Sequence, residues 1–187
     1  MNTSNQLRIV GISGSLRKGS YNTALLHAAA ELMPPEMTLE IIDISPLPML
    51  NQDFEKPFPE VAAEFCDRLA KADGVLFATP EYNSSISAVL KNAIDWASRS
   101  PQQPLNGKPA AIIGASIGIF GTARAQSHLR QVLSFVGALT LNKPEVLVGQ
   151  AHRVFDSEGK LTDEIGRGFL RDLLVAFAQW IRQVSPT

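Results

Sequence analysis

The run Ile9-Val10-Gly11-Ile12-Ser13-Gly14-Ser15-Leu16-Arg17-Lys18-Gly19-Ser20-Tyr21-Asn22 leaves this chain few folds to choose from. Leu7–Ile12 is apolar and reads as a buried strand. The sequence then breaks into glycines and hydroxyls and restarts as Asn22-Thr23-Ala24-Leu25-Leu26-His27-Ala28-Ala29-Ala30, which reads as a helix. A strand, a glycine loop and a helix N-terminus in that order form an anion site. Free backbone N–H groups and the positive end of the helix dipole both face the loop. Ser13, Ser15 and Ser20 add hydroxyls, Asn22 an amide, and Arg17 a permanent charge with a donor fork. The expected ligand is a phosphate group.

What the loop lacks narrows the choice of phosphate. Gly14 and Gly19 have the spacing of a Walker A loop, but Ser20-Tyr21 stands where Lys-Ser/Thr is required. The glycines at 11, 14 and 19 make no G-x-G-x-x-G, which disfavours a dinucleotide held in the Rossmann manner. Glu40 and Asp43, near the end of the second strand, keep a ribose-binding alternative open. A serine-rich loop closing on one terminal phosphomonoester suits a mononucleotide such as FMN.

Further along, the pattern alternates. Helices are expected at about Asn22–Met33, Pro59–Ala72, Ser87–Ser100, Ala123–Val136 and Thr162–Gln183. Strands are expected at Leu7–Ile12, Thr38–Ile44, Val75–Ala78 and Ala110–Gly114. The fifth is Leu139–Leu141 with Glu145–Val148, interrupted by Asn142-Lys143-Pro144. Ser45–Asp53 is too proline-rich for regular structure, and Gly149–Lys160 reads as a polar connection. Five strands alternating with five helices predict a doubly wound α/β fold, a parallel sheet with helices on both faces. The flavodoxin-like order 2-1-3-4-5 puts the switch point between strands one and three. The loops after those strands should meet there. With no repeat and no linker, residues 1–187 are expected to form a single domain.

Several functions are excluded as expectations. A net charge of -1 gives no electrostatic case for nucleic acid or an anionic membrane. No apolar run reaches the roughly 18 residues of a membrane span. Met1–Gln6 is polar and has no signal core, so the cytoplasm is the expected compartment. The single cysteine, Cys66, reads as a small buried hydrophobe on a helix. His27, His128 and His152 lack metal-ligand spacing, and no Ser/His/Asp set is evident. Lys91 and Asp95 form an i,i+4 pair, and Trp96 reads as core or interface.

Three motifs carry a resemblance. Gly14-Ser15-Leu16-Arg17-Lys18-Gly19-Ser20-Tyr21-Asn22 resembles the phosphate loop of the NAD(P)H-dependent FMN reductases, a family that includes quinone reductases, chromate reductases and some azoreductases. Thr79-Pro80-Glu81-Tyr82-Asn83 resembles its flavin-ring loop, and Lys91-Asn92-Ala93-Ile94-Asp95-Trp96 the segment that follows. The likeness runs from Ile9 to about Leu147. It implies FMN phosphate bound by Ser15, Arg17, Ser20, Tyr21 and Asn22. It implies an isoalloxazine lined by Pro80, Glu81, Tyr82 and Asn83 and bordered by Ser116 and Gly118. It also implies dimers, often dimers of dimers, so a homodimer or homotetramer is expected. Ile94 and Trp96 mark the segment around Asn92–Trp96, with the fourth helix, as the expected contact.

The function that follows is hydride transfer from NADH or NADPH to FMN and then reduction of a small acceptor such as a quinone, azo compound, chromate or free flavin. The cofactor carries the chemistry, so no side chain is named as catalytic. An electron-transfer flavodoxin and a flavin-binding module without turnover are the rivals. A protein carrier relies on a strong single-sign field, which 17 basic and 18 acidic residues do not supply.

Overall fold

The computed structural model describes residues 6–185, so all but the last residue of the polar start Met1–Gln6 lies outside the described residues. In chain order the elements are β1 (Leu7–Ser13), α1 (Tyr21–Glu31), β2 (Met37–Ile42), α2 (Glu60–Lys71), β3 (Gly74–Ala78), α3 (Ala88–Arg99), β4 (Pro109–Ala115) and α4 (Ala123–Phe135). They continue with β5 (Leu139–Thr140), β6 (Val146–Val148), α5 (Ala151–Val154) and α6 (Glu164–Val184). The sheet runs β2-β1-β3-β4-β5 and every pairing is parallel, as the alternating pattern predicts. The fifth position is shared. β5 pairs with the start of β4 at Pro109↔Leu139, and β6 with its end at Ile113↔Val146. Pro144 lies in the gap, where it has no ladder donor to give.

Each central strand is apolar on both faces because each face is covered. Ile9, Leu76, Ala111 and Ile113 pack with Leu25 and Leu26 of α1 and with Leu170, Leu173, Leu174 and Phe177 of α6. Val10, Ile12, Phe77 and Ile112 face the other way, toward Phe65 and Leu69 of α2, Leu90 and Ile94 of α3, and Leu129 of α4. Each of these valine, leucine, isoleucine and phenylalanine side chains contributes about 1.5–3 kcal/mol by leaving water. Cys66 belongs to the second cluster, and burial pushes its thiol up from 9.0 to about 11.

Three expectations need correction. The segment Gly149–Lys160 is not merely polar: it contains α5, and Ala151 and Phe155 are buried. Phe155 forms a bridge with Leu161 and its ring sits 5.3 Å from that of Tyr21. The few apolar residues at irregular spacing hid this small packing unit. Second, Asn92, Ile94 and Trp96 are buried within the chain, with Trp96 only 1% exposed, so they form no contact surface for a partner. The indole of Trp96 meets Phe58 edge to face, and its Nε1 donates to the Pro48 carbonyl at 2.7 Å. That same carbonyl accepts from Asn92 Nδ2 at 2.9 Å, while Asn92 Oδ1 accepts from the Leu50 N–H at 2.8 Å. The proline-rich loop is thus clipped to α3. Third, the ribose alternative loses its residues. Glu40 pairs with Arg68, and the Asp43 carboxylate accepts from the Ser45 N–H and Oγ.

Candidate functional site

The loops after β1, β3 and β4 are bonded together at the carboxyl ends of their strands. Gly14 N–H donates to Ala78 O at 2.8 Å, and Ser87 Oγ donates to Gly14 O at 2.6 Å. A Cβ at Gly14 would lie 2.9 Å from Pro80 Cδ, so only glycine lets these loops come this close. Asn22, 3% exposed, reaches across to β4: its Nδ2 donates to Ala115 O at 3.0 Å and its Oδ1 accepts from Ala115 N–H at 2.9 Å.

Between these loops lies a cleft of about 320 Å³. It brings together Ser15, Arg17, Ser20, Tyr21 and Asn22 from the first loop, Pro80, Glu81 and Tyr82 from the second, and Ser116 from the third. Asn83 and Gly118 stand outside its lining. Asn83 and Ser84, at φ 50° and 63°, form the tip of a two-residue reverse turn closed by reciprocal bonds between Tyr82 and Ser85. Gly118 is turned back into its own loop: its N–H donates to Ser116 Oγ, and its carbonyl accepts from Gln150 N–H. Ala115 and Ile117 complete the lining. The sequence puts both in the Ala115–Thr122 loop expected at the rim of the pocket, but an alanine and an isoleucine carry no chemical signal that would single them out.

The side chains divide their work in ways that residue types do not reveal. Ser20 Oγ caps α1 by accepting from the Asn22 and Thr23 N–H groups at 3.2 and 3.3 Å. Arg17 Nη2 donates to Gly19 O at 2.7 Å, which holds the guanidinium against its own loop. Among the described residues no protein acceptor takes the backbone N–H groups of residues 16–21. That row of free donors ahead of a helix N-terminus fits a phosphate monoester. The Glu81 carboxylate points away to α4, where it accepts from the N–H groups of Arg124 and Ala125 and pairs with the Arg124 guanidinium at 3.1 Å. No local pattern linked Glu81 to a helix more than forty residues downstream. Among the described residues no group of three or more His, Cys, Asp or Glu side chains is placed to hold a metal, and no helix is long and apolar enough to cross a membrane.

The model of a family described as NADPH-dependent FMN reductase matches residues 7–153. The chain belongs to this family. Its reductase relatives align end to end. An NAD(P)H-dependent FMN reductase of Pseudomonas aeruginosa is 52% identical over 182 residues, covering 97% of this chain and 98% of that protein. A quinone reductase of Escherichia coli K12 is 40% identical over 186 residues, covering 97% and 99%. Among solved structures, the flavoenzyme NAD(P)H:(acceptor) oxidoreductase FerB of Paracoccus denitrificans superposes with a TM-score of 0.87 at 37% identity, covering 95% of this chain and 98% of that one. This reductase is accordingly an oxidoreductase that works with FMN and NAD(P)H. The free N–H groups of its phosphate-type loop and the cleft beside them fit that cofactor.

Proposed function

We propose that this reductase passes electrons from NAD(P)H to a small acceptor of the quinone type, using the cleft between the three loops. The observation that carries this reading is the row of free N–H groups at residues 16–21, at one end of a cleft whose other walls come from Pro80, Tyr82 and Ile117. In this reading Ser15, Arg17, Ser20 and Tyr21 hold the FMN phosphate, with Asn22 fixing the loop and offering what remains of its amide. Bound FMN supplies a ring that accepts hydride and gives up electrons.

The chain's own part is positioning. Pro80 fixes φ and holds Thr79 extended, so the 80–82 backbone is presented rigidly to a ring edge. Tyr82 and Ile117, both exposed, offer apolar surface for a flat acceptor. No side chain in the cleft is required to move a proton. One mouth serves both substrates, so donor and acceptor occupy the cleft in turn. The relatives named as quinone reductases and the absence of a single-sign charge field support a small acceptor over a protein partner. The proposal includes a single domain over residues 1–187, a cytoplasmic site of action and a homodimer or homotetramer built on surfaces other than Asn92–Trp96. Initial rates at several quinone concentrations test it: parallel double-reciprocal lines are expected, and intersecting lines would overturn the alternating order.

A further inference from the structure

A second cleft, of about 830 Å³, opens beside the first and shares Ser20 and Tyr21 with it. It lies between the outer face of α1 and the turn at 156–160. Its volume falls within the range of sites for small organic molecules and far exceeds that of a single inorganic ion. Lys18, His27 and Lys160 reach it from three different elements, and Glu31, Asp156 and Glu158 line it as well. The acids are mostly engaged. Asp156 Oδ1 accepts from the N–H groups of Glu158 and Lys160 at 2.9 and 2.8 Å, which also fixes the turn that presents Lys160. Glu31 pairs with Arg167 at 3.5 Å. Neither Lys18 nor Lys160 has an ion-pair partner among the described residues. Two unpaired ammonium groups facing a cleft of this size call for an organic phosphate.

We propose that this cleft takes the adenosine 2′-phosphate end of NADPH, with Lys18 and Lys160 on the phosphate, and thereby selects NADPH over NADH. The inference rests on the flavin reading of the adjoining cleft, because the shared wall at Ser20 and Tyr21 lets one extended donor lie in both. The adenylate half of FAD would enter across the same wall, but it brings a diphosphate and a free 2′-hydroxyl in place of a 2′-phosphate.

The test uses the FMN-loaded protein and its Lys18→Gln/Lys160→Gln variant. Calorimetric titration with 2′,5′-ADP should show binding that the variant weakens about tenfold, while 5′-AMP changes little. In steady state the Lys160→Gln single variant should raise KM for NADPH severalfold and leave kcat and the KM for NADH in place. Equal 2′,5′-ADP affinity in the two proteins overturns the proposal. So does a variant that loses FMN affinity instead, since Lys18 would then belong to the flavin phosphate. Displacement of FMN by FAD, with the FAD affinity and not that for NADPH falling in the variant, assigns the cleft to the flavin adenylate and overturns it too. Bleaching of the flavin absorbance by NADPH without air is followed separately. Bleaching without 2′-phosphate discrimination removes only this inference, and discrimination without bleaching removes only the function proposed above.

Discussion

The Glu81 carboxylate and the Arg124 backbone N–H meet at 3.0 Å, tying the loop after β3 to the first turn of α4. The N-cap of that helix, Thr122, makes no side-chain capping bond, so Glu81 does the capping from outside. One turn further on, His128 Nδ1 lies 3.1 Å from Ser85 Oγ. One helix therefore holds both ends of the turn that borders the cleft.

Removing the cap should loosen this arrangement. Glu81→Ala is expected to cost about 1–2 kcal/mol, the usual worth of a lost cap, and to weaken FMN binding. Glu81→Gln keeps an acceptor and should recover part of both. Urea denaturation of the apo proteins, with flavin titrations alongside, checks this. Unchanged stability in Glu81→Ala would show that water replaces the cap at no cost.

Asn22 should behave as a structural residue. Asn22→Ala leaves the buried N–H and C=O of Ala115 without partners, at roughly 2–4 kcal/mol for the pair. Thermal melts without flavin measure it. If the melting point holds and only FMN affinity drops, the amide serves the phosphate after all.

Those two residues also show how far the sequence could be read. The strand order and the meeting of the loops followed from periodicity and glycine placement, because burial on both faces writes itself into every central strand. What stayed hidden was where polar side chains point. Glu81 and Asn22 stand in loops that resemble a flavin site, yet their heads bond to α4 and β4, at sequence separations of 43 and 93. The buried turn at Ala151–Leu161 was missed for another reason: its few apolar residues stand at irregular spacing, and Phe155 finds its ring partner far away at Tyr21.

Arg17 should act on binding and hardly at all on folding. Among the described residues its side chain bonds only to Gly19 O, within the same loop. A charge-assisted hydrogen bond to phosphate is worth roughly 1.5–3 kcal/mol, so Arg17→Ala should weaken FMN binding about 10- to 150-fold. Fluorescence titration of FMN decides it, with equal affinities showing that the guanidinium serves only its loop.

Cys66 should make the fold sensitive to alkali. Burial is the main cause of its raised pKa, about 11 against 9.0, so the folded state favours the neutral thiol. The associated stability is complete below pH 9 and is lost as pH rises toward about 11. Cys66→Ala removes this dependence, so the difference between the two proteins isolates the thiol. Denaturation midpoints across that window should fall more steeply for the wild type. Parallel slopes would mean that the buried thiol ionises as it does in the unfolded chain.

The clip between Pro48 and α3 has a bearing on how such a protein can change. The Pro48 carbonyl, held by Trp96 and Asn92, fixes the path of the loop through its backbone, so the outward side chains have no part in that bond. Met49 and Phe54, each 69% exposed, can be exchanged by mutation with little penalty to the core. That makes these two positions a place to diversify in a directed-evolution library, where variation would be screened against a scaffold that stays folded.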